Sequence, residues 1–190
     1  VLVETVLDHI KEREGEIKVL DLCTGTGAIG ISILQHNKRT KAVLADISEI
    51  AYKVSLENAF RNGVSERCVV LRGDLFEPLG EMSFDVIVSN PPYIRTEAIG
   101  RLMEGVKEFE PHLALDGGAD GLAFYRKITG EAPKHLKEGG LLAFEIGYDQ
   151  GREVEAIMKE NRFVEIQRVK DLAGHDRCVI GRTTYTSSPL

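Results

Sequence analysis

The chain has 190 residues, of which 43% are hydrophobic, and its 24 Lys and Arg against 30 Asp and Glu give a formal net charge of −6. A chain of this length buries roughly 70% of its unfolded surface, so a core can form without disulfides or a structural metal. The acidic balance provides no long-range attraction to phosphate backbones. Three separated cysteines without a C-x-x-C pair argue against a zinc ribbon or a disulfide framework: Cys23, Cys68 and Cys178.

No stretch of the sequence is suited to crossing a bilayer or to directing secretion. Uninterrupted apolar runs such as residues 141–144 fall far short of the ~18 to 20 residues that a membrane span needs, and no signal-like segment opens the chain. We therefore expect a cytoplasmic protein without membrane contact. The histidines show no ligand spacing, so we expect no metal site; they are His9, His36, His112, His135 and His175.

Short β-rich runs alternate with helical periodicity, the pattern of a mostly parallel sheet covered by helices on both faces. After an opening helix that ends at residue 10, the predicted elements are a strand over 17–22, a helix over 28–36, a strand over 41–46, a helix over 48–62 and strands over 67–72 and 84–89. An irregular excursion over 90–121, with at most one helix over 97–106, precedes a helix over 122–136, a strand over 140–147, a helix over 150–161 and a closing hairpin of strands 163–169 and 177–182.

A glycine turn follows the first predicted strand and leads into a helix. Its residues are Cys23, Thr24, Gly25, Thr26 and Gly27. Glycines are needed where a ligand approaches the backbone closely and where φ is positive. With Gly30 the turn also satisfies G-x-G-x-x-G, so the loop alone is equally compatible with a dinucleotide site, or with a plain strand-to-helix turn.

Acidic residues stand at the ends of the first three predicted strands. Asp46 ends the second strand, 21 residues after Gly25, where a carboxylate accepts hydrogen bonds from both hydroxyls of an adenosine ribose. A lone acid at this position would instead be a helix N-cap. Asp74 and Leu75 follow the third strand and would supply a carboxylate and an apolar surface for an adenine. Asp21 precedes the glycine loop directly.

The acid before the loop and the crowded Cys-Thr-Gly-Thr-Gly sequence resemble the class I S-adenosylmethionine (SAM) methyltransferases. In that family the loop wraps the amino-acid end of SAM, and the product is S-adenosylhomocysteine. The resemblance implies cofactor contacts from the five loop residues and from Asp21, Asp46, Asp74, Leu75 and Asn90. We interpret Cys23 as a small packed residue and not as a reactive thiol.

The fourth predicted strand runs into Asn90-Pro91-Pro92-Tyr93, the predicted catalytic residues. Prolines fix φ and donate no hydrogen bond, so nearby carbonyls are held in one direction and stay free to accept. The Asn90 side-chain oxygen and the Pro91 carbonyl together suit a planar NH₂ group, and Tyr93 can pack over it. Such a nitrogen is a poor nucleophile because its lone pair is delocalised. Two acceptors would let it aim the lone pair at the SAM methyl, so the turn indicates nitrogen methylation.

Sequence motifs around this turn are similar to those of the release-factor glutamine methyltransferases (HemK/PrmC family). They are Glu110-Pro111, Ala114-Leu115, Gly117 to Leu122, Tyr125-Arg126, Glu145-Ile146-Gly147 with Gln150, Asp171 to Gly174 and Asp176-Arg177. The resemblance implies methyl transfer from SAM to the side-chain amide of the glutamine in the Gly-Gly-Gln motif of peptide-chain release factors. Residues 91–126 carry a net charge of −2, which disfavours nucleic-acid binding by this region. We also expect a monomer.

We expect residues 1–182 to form the SAM-dependent catalytic domain, with a Rossmann-like α/β sheet of about seven strands, and residues 183–190 a frayed tail. The family normally has an N-terminal helical domain, and Val1 to Glu4 resemble what directly follows it, so we expect a fragment that lacks this domain. Three alternatives stay open: an amino-group methyltransferase for adenine or guanine of RNA or DNA, a non-catalytic module with the same fold, and an NAD-binding protein.

Overall fold

The computed structural model describes residues 1–100 and 115–184. Within these ranges the helices are α1 (Leu2–Ile10), α2 (Ala28–His36), α3 (Glu49–Arg61), α4 (Thr96–Ile99), α5 (Ala123–His135) and α6 (Gly151–Glu160). The strands are β1 (Ile17–Leu22), β2 (Thr40–Asp46), β3 (Cys68–Arg72), β4 (Phe84–Ser89), β5 (Leu136–Glu145), β6 (Val164–Lys170) and β7 (Asp176–Arg182).

The strands form one seven-stranded sheet in the order β3-β2-β1-β4-β5-β7-β6. The first five strands of the chain pair in parallel, whereas β7 pairs antiparallel with both β5 and β6. This arrangement confirms the predicted α/β class with its closing hairpin. Parallel strands bring their carboxyl ends to one edge of a sheet, so the loops after β1, β2, β3 and β4 share that edge.

Two apolar cores lie on opposite faces of the sheet, and β4 contributes to both. Val86 packs in the core that contains α1 and α2, whereas Ile87 packs in the core that contains Tyr125 and Ile128 of α5. Every residue of β4 is buried, as expected for a central parallel strand covered on both faces. The residues that follow β4 therefore start from a rigid base.

The predicted bounds of β1, α2 and β4 are confirmed residue by residue, and β5 shows the largest difference. It begins at Leu136 and not at residue 140, because Leu136 pairs with Phe84 ahead of a register shift between Phe84 and Val86. Gly139 has a φ of 63° within this stretch, a conformation that suits such an irregularity.

Some predictions reach beyond the described residues. The predicted helix over 97–106 corresponds to α4 at its start, and the remainder lies outside these ranges, as do the Glu110-Pro111 motif, Ala114 and residues 185–190 of the predicted tail. None of the helices in residues 1–100 and 115–184 combines the length and the apolar character that crossing a bilayer requires.

Candidate active site

The glycine loop between β1 and α2 has the backbone conformation that its sequence predicts. Gly25 and Gly27 have φ values of 56° and 82°. A Cβ on Gly27 would lie 2.8 Å from the side chain of Ile31 and 3.0 Å from that of Leu44, so these side chains would have to move, and the positive φ itself disfavours any other residue. Cys23 also has a positive φ, of 56°, which is uncommon for a residue with a side chain.

Asp21 is buried beneath this loop and ties it to the start of α2. Its Oδ2 accepts hydrogen bonds from Thr24 Oγ1 at 2.7 Å and from the Gly30 N–H at 2.9 Å. Its Oδ1 is buried and, among the described residues, has no partner. Burial raises the pKa of Asp21 to about 6. A buried carboxylate with an unused acceptor atom favours a positive group nearby.

Asp46 joins the loop after β1 to the loop after β2. Its Oδ2 accepts from the Gly25 N–H and its Oδ1 from the Ser48 N–H, each at 2.9 Å. Each carboxylate oxygen therefore keeps a second lone pair for a ligand. Asp46 is not the N-cap of α3, because Ser48 fills that position and its Oγ accepts from the Ala51 N–H at 3.3 Å.

The three predicted acids come together around the glycine loop. Burial, and after it the charges of the carboxylates of Asp46, Asp21 and Asp74, raise the pKa of the Cys23 thiol to about 12. A thiol in this state is protonated near neutral pH, which supports the interpretation of Cys23 as a packed residue. Asp74 is exposed after β3, and Leu75 beside it is half-buried with a φ of 46°.

The remaining predicted loop residues divide between interior and surface. Thr24 is buried, and its N–H donates to the Ala45 carbonyl at 3.2 Å. Thr26 is exposed, and its carbonyl accepts from the Asn58 side chain at 2.9 Å. The loop is thus fixed to β2 on one side and to α3 on the other, so its backbone is ordered from both sides.

The Asn90–Tyr93 turn lies beside the glycine loop, because β1 and β4 are neighbours in the sheet. Leu22, the last residue of β1, pairs with Ser89, the last residue of β4. The buried Ser89 hydroxyl also donates to the Leu22 carbonyl at 2.8 Å. The residues that follow directly, Cys23 and Asn90, therefore begin two loops side by side.

The turn combines two buried prolines with an exposed asparagine. Pro91 and Pro92 are buried, Tyr93 is half-buried and Asn90 is exposed. Among the described residues, none forms a hydrogen bond with the Asn90 side chain. A rigid backbone thus presents an amide whose oxygen is available to a substrate.

Residues 115–122, which we call the strap, pack against this turn. Up to residue 121 they belong to the irregular excursion that the sequence predicts. The Ile94 N–H donates to the Leu115 carbonyl at 3.0 Å, and the Gly117 N–H donates to the Ile94 carbonyl at 2.8 Å. The side chain of Gln150 reaches the same place and donates to the Tyr93 carbonyl at 3.0 Å. The sequence alone does not indicate these contacts; its only signal is that the strap glycines and Gln150 belong to the motifs that carry the family resemblance.

Comparison with known proteins agrees with this geometry. The family described as "Methyltransferase small domain" matches residues 2–119 of the chain. The chain belongs to this family. A solved member of the wider fold, a methyltransferase from Pyrococcus furiosus, is 18% identical with a TM-score of 0.69, and the match covers 97% of this chain and 84% of that one. At this identity the likeness concerns the fold.

Two curated relatives are much more similar in sequence, and both are named release factor glutamine methyltransferase. The protein from Clostridium acetobutylicum is 47% identical over 95% of this chain, and that from Caulobacter vibrioides is 44% identical over 100% of it. The chain spans 64% and 65% of the lengths of these two relatives.

Proposed function

We propose that this chain is the catalytic domain, residues 1–182, of a SAM-dependent protein-(glutamine-N5) methyltransferase that modifies the Gly-Gly-Gln motif of a peptide-chain release factor. One observation carries the proposal. The Ser89 hydroxyl donates a hydrogen bond to the Leu22 carbonyl at 2.8 Å, and this contact fixes the Asn90–Tyr93 turn beside the glycine loop. The names of relatives at 47% and 44% identity support this substrate.

The residues at the carboxyl ends of β1, β2 and β3 fit SAM. Asp46 keeps one free lone pair on each carboxylate oxygen, which suits the two ribose hydroxyls. Leu75, half-buried after β3, offers an apolar surface for the adenine ring. The carboxylates of Asp21, Asp46 and Asp74 create a negative potential that favours a ligand carrying a sulfonium and an ammonium group. When bound, SAM would supply a methyl group activated by its positively charged sulfur.

The turn after β4 would hold the substrate amide. The Asn90 side-chain oxygen and the Pro91 carbonyl each accept one N–H of the glutamine NH₂ group, which draws the nitrogen out of conjugation with its carbonyl. The half-buried Tyr93 packs against the planar amide. Catalysis then depends on orienting the nitrogen and on stabilising developing charge. The methylated nitrogen is acidic and gives its surplus proton to water, so no strong base is required.

The partners and location that the sequence predicts belong to the same proposal. A net charge of −6, and −2 over residues 91–126, gives little attraction for RNA or DNA, so we infer a protein substrate. We infer a monomer, which light scattering after size exclusion would test, and a cytoplasmic location, which fractionation of cells would test. The nucleic-acid alternative is not favoured, because the named relatives are release-factor enzymes.

A methyl-transfer assay tests the proposal directly. The chain would be incubated with tritiated SAM and, in separate reactions, with a release factor, with the same release factor carrying Ala in place of the motif glutamine, and with total RNA. We expect label in the first reaction and none in the second. Label in RNA would assign the chain to the nucleic-acid alternative, and label in no reaction would refute the catalytic role.

A further inference from the structure

One buried side chain, that of Gln150, joins the Asn90–Tyr93 turn to the surrounding structure. Gln150 is 5% exposed and lies directly before α6. Its Nε2 donates to the Tyr93 carbonyl at 3.0 Å and to the Gly121 carbonyl at 3.1 Å, and its Oε1 accepts from the Gly147 N–H at 3.1 Å. The amide thereby connects three segments: the turn after β4, the strap and the loop after β5.

Both N–H donors of this buried amide are used, and its oxygen also has a partner. A glutamine has two N–H donors, and both go to backbone carbonyls. Its oxygen accepts from the Gly147 N–H and lies 3.5 Å from the Tyr125 hydroxyl, which donates more closely to the Glu145 carbonyl at 3.1 Å. Fully satisfied buried polar networks rigidify their surroundings and select one arrangement.

Glycines make room for this contact in two of the three segments, the strap and the loop after β5. A Cβ on Gly121, whose φ is +76°, would lie 2.5 Å from the Tyr93 carbonyl oxygen and 2.8 Å from Gln150 Nε2. A Cβ on Gly147 would lie 2.8 Å from Gln150 Oε1, and one on Gly117 would lie 2.7 Å from the Tyr93 Cα. A side chain at Gly121 or Gly147 would therefore displace the Gln150 amide, and one at Gly117 would displace the backbone of Tyr93.

The placement of Asn90 depends on the two ends of its turn, because no described residue holds its side chain. Ser89 fixes the first end through the Leu22 carbonyl, and Gln150 fixes the last end through the Tyr93 carbonyl. A displacement of about 1 Å in a reacting geometry can cost about 10²-fold in rate. If the Tyr93 end of the turn were not fixed, the acceptor oxygens of Asn90 and Pro91 would therefore be displaced and the rate would fall.

We propose that Gln150 is a positioning residue for methyl transfer, which fixes the Tyr93 end of the turn so that the Asn90 and Pro91 oxygens meet the substrate amide beside the methyl donor. This inference rests on the proposed function for its catalytic half. Its structural half, that Gln150 orders the turn and the strap, can be tested separately.

Two variants test the catalytic half. Gln150→Glu keeps the shape of the side chain but replaces its two donors by an oxygen, and Gln150→Met removes the donors without burying a charge. We expect kcat to fall about 10²-fold in both, with the Kd for SAM unchanged. Only the Glu variant should regain activity as the pH is lowered, because a protonated carboxyl group can again donate to the Tyr93 carbonyl.

The Met variant is the reference for this pH profile, because it retains every other titratable or charged group near position 150. These groups are Tyr93 in the turn and Arg95 after it, Tyr125 from α5, Glu145 from β5, Asp149 beside Gln150, Arg168 from β6, and Asp176 and Arg177 from β7. Gln35→Glu, an exposed change of the same kind at the end of α2, should leave kcat unaltered. Unchanged kcat in both position-150 variants would overturn the inference, as would parallel pH profiles.

Hydrogen exchange tests the structural half without any need for activity. The amides of Ile94, Thr96 and Gly117 donate hydrogen bonds that join the residues directly after the turn to the strap, so they should exchange faster in Gln150→Met than in the wild type. The Gly30 amide, bonded to Asp21, should keep its rate. If the wild type transfers no methyl group, the proposed function fails while this measurement still decides the role of Gln150. Unchanged exchange at all three amides would overturn that role.

Discussion

At the residue scale the exposed amide of Asn90 is the group whose removal should matter most. Replacing Asn90 by Ala deletes one of the two acceptors proposed for the substrate NH₂, and no described residue loses a hydrogen bond. We expect kcat to fall by about 10²- to 10³-fold, the loss typical of one preorganised polar group, while calorimetry shows that the Kd for SAM is largely retained. Near-wild-type turnover would contradict the role of Asn90.

A matched variant separates this effect from a general loss of an asparagine. Asn62 is also exposed and lies at the end of α3, which leads toward the opposite edge of the sheet. Its side chain accepts from Gln35 and donates to the Asn58 carbonyl, so Asn62→Ala removes more native hydrogen bonds than Asn90→Ala does. We expect it to lower stability slightly and to leave kcat unaltered.

The buried carboxyl group of Asp21 should give the molecule a recognisable pH dependence. Its pKa is about 6 in the folded protein against 3.8 for the ordinary group, so the folded state binds more protons between these values. The free energy of unfolding should therefore decrease as the pH rises from about 4 to about 6, by roughly 3 kcal/mol from this group alone. Below about pH 4 the group is protonated in both states and the penalty disappears.

Comparing the unfolding free energies of Asp21→Asn and the wild type at several pH values tests whether Asp21 causes this decrease. An Asn oxygen can still accept from Thr24 and Gly30, and no charge is buried. The contribution of this group to the change of the unfolding free energy between pH 4 and 6, measured by urea unfolding, should therefore vanish. As a control, Asp120→Asn removes a carboxylate whose pKa the Arg126 hydrogen bond lowers to about 2, so the slope between pH 4 and 6 should remain. An unchanged slope in Asp21→Asn would show that Asp21 is charged throughout this range.

At the scale of elements the strap and the turn behave as one unit, because glycine allows their backbones to touch. In Gly117→Ala the new Cβ would meet the Tyr93 Cα at 2.7 Å, so one of the two segments must move. We expect a loss of methyl transfer comparable to that of Asn90→Ala, with SAM affinity retained because hydrogen bonds to β2 and α3 hold the glycine loop in place. Kinetics and calorimetry on the same preparation would measure both.

Gly130→Ala is the corresponding control in α5. The nearest atom to its new Cβ would be 3.8 Å away, and alanine is the better helix former by about 0.5 to 1 kcal/mol. We therefore expect a small gain in stability with full activity. If Gly117→Ala is as active as Gly130→Ala, the strap does not govern the position of the turn.

At the scale of the whole molecule the two apolar cores share one sheet and should unfold together in one cooperative transition. Ile33 of α2 and Ile128 of α5 are fully buried on opposite faces. Each Ile→Ala change should reduce the free energy of unfolding by about 2 to 5 kcal/mol, and far-ultraviolet dichroism and tyrosine fluorescence should report one common transition. Ile50→Ala, at a side chain that is 70% exposed, should have little effect. Two separate transitions would contradict a single cooperative unit.

The sequence predicts most of this architecture because local chemistry and global topology agree. Apolar runs bounded by turn residues define β1 and β4, and the rule that parallel strands end at one edge brings Asp46 to the loop that contains Gly25. The strap is different, since the pairing of Ile94 with Asp116 joins irregular segments that carry no periodic pattern. The position of Gln150 is likewise a tertiary fact, because its partners come from three separate parts of the chain.

The second role that we propose for Asp46, binding of the cofactor ribose, would have a thermodynamic consequence. Its carboxylate orders the glycine loop through the Gly25 N–H even before any nucleoside arrives, so the pocket is largely preorganised and little entropy remains to be lost on binding. Saturating SAM should then act mainly by mass action, raising the melting temperature as its concentration exceeds Kd, by the equivalent of about 2.7 kcal/mol at one hundred times Kd. Asp46→Ala would lower both the melting point of the free protein and its response to SAM, so heat resistance and ligand affinity are coupled through one side chain.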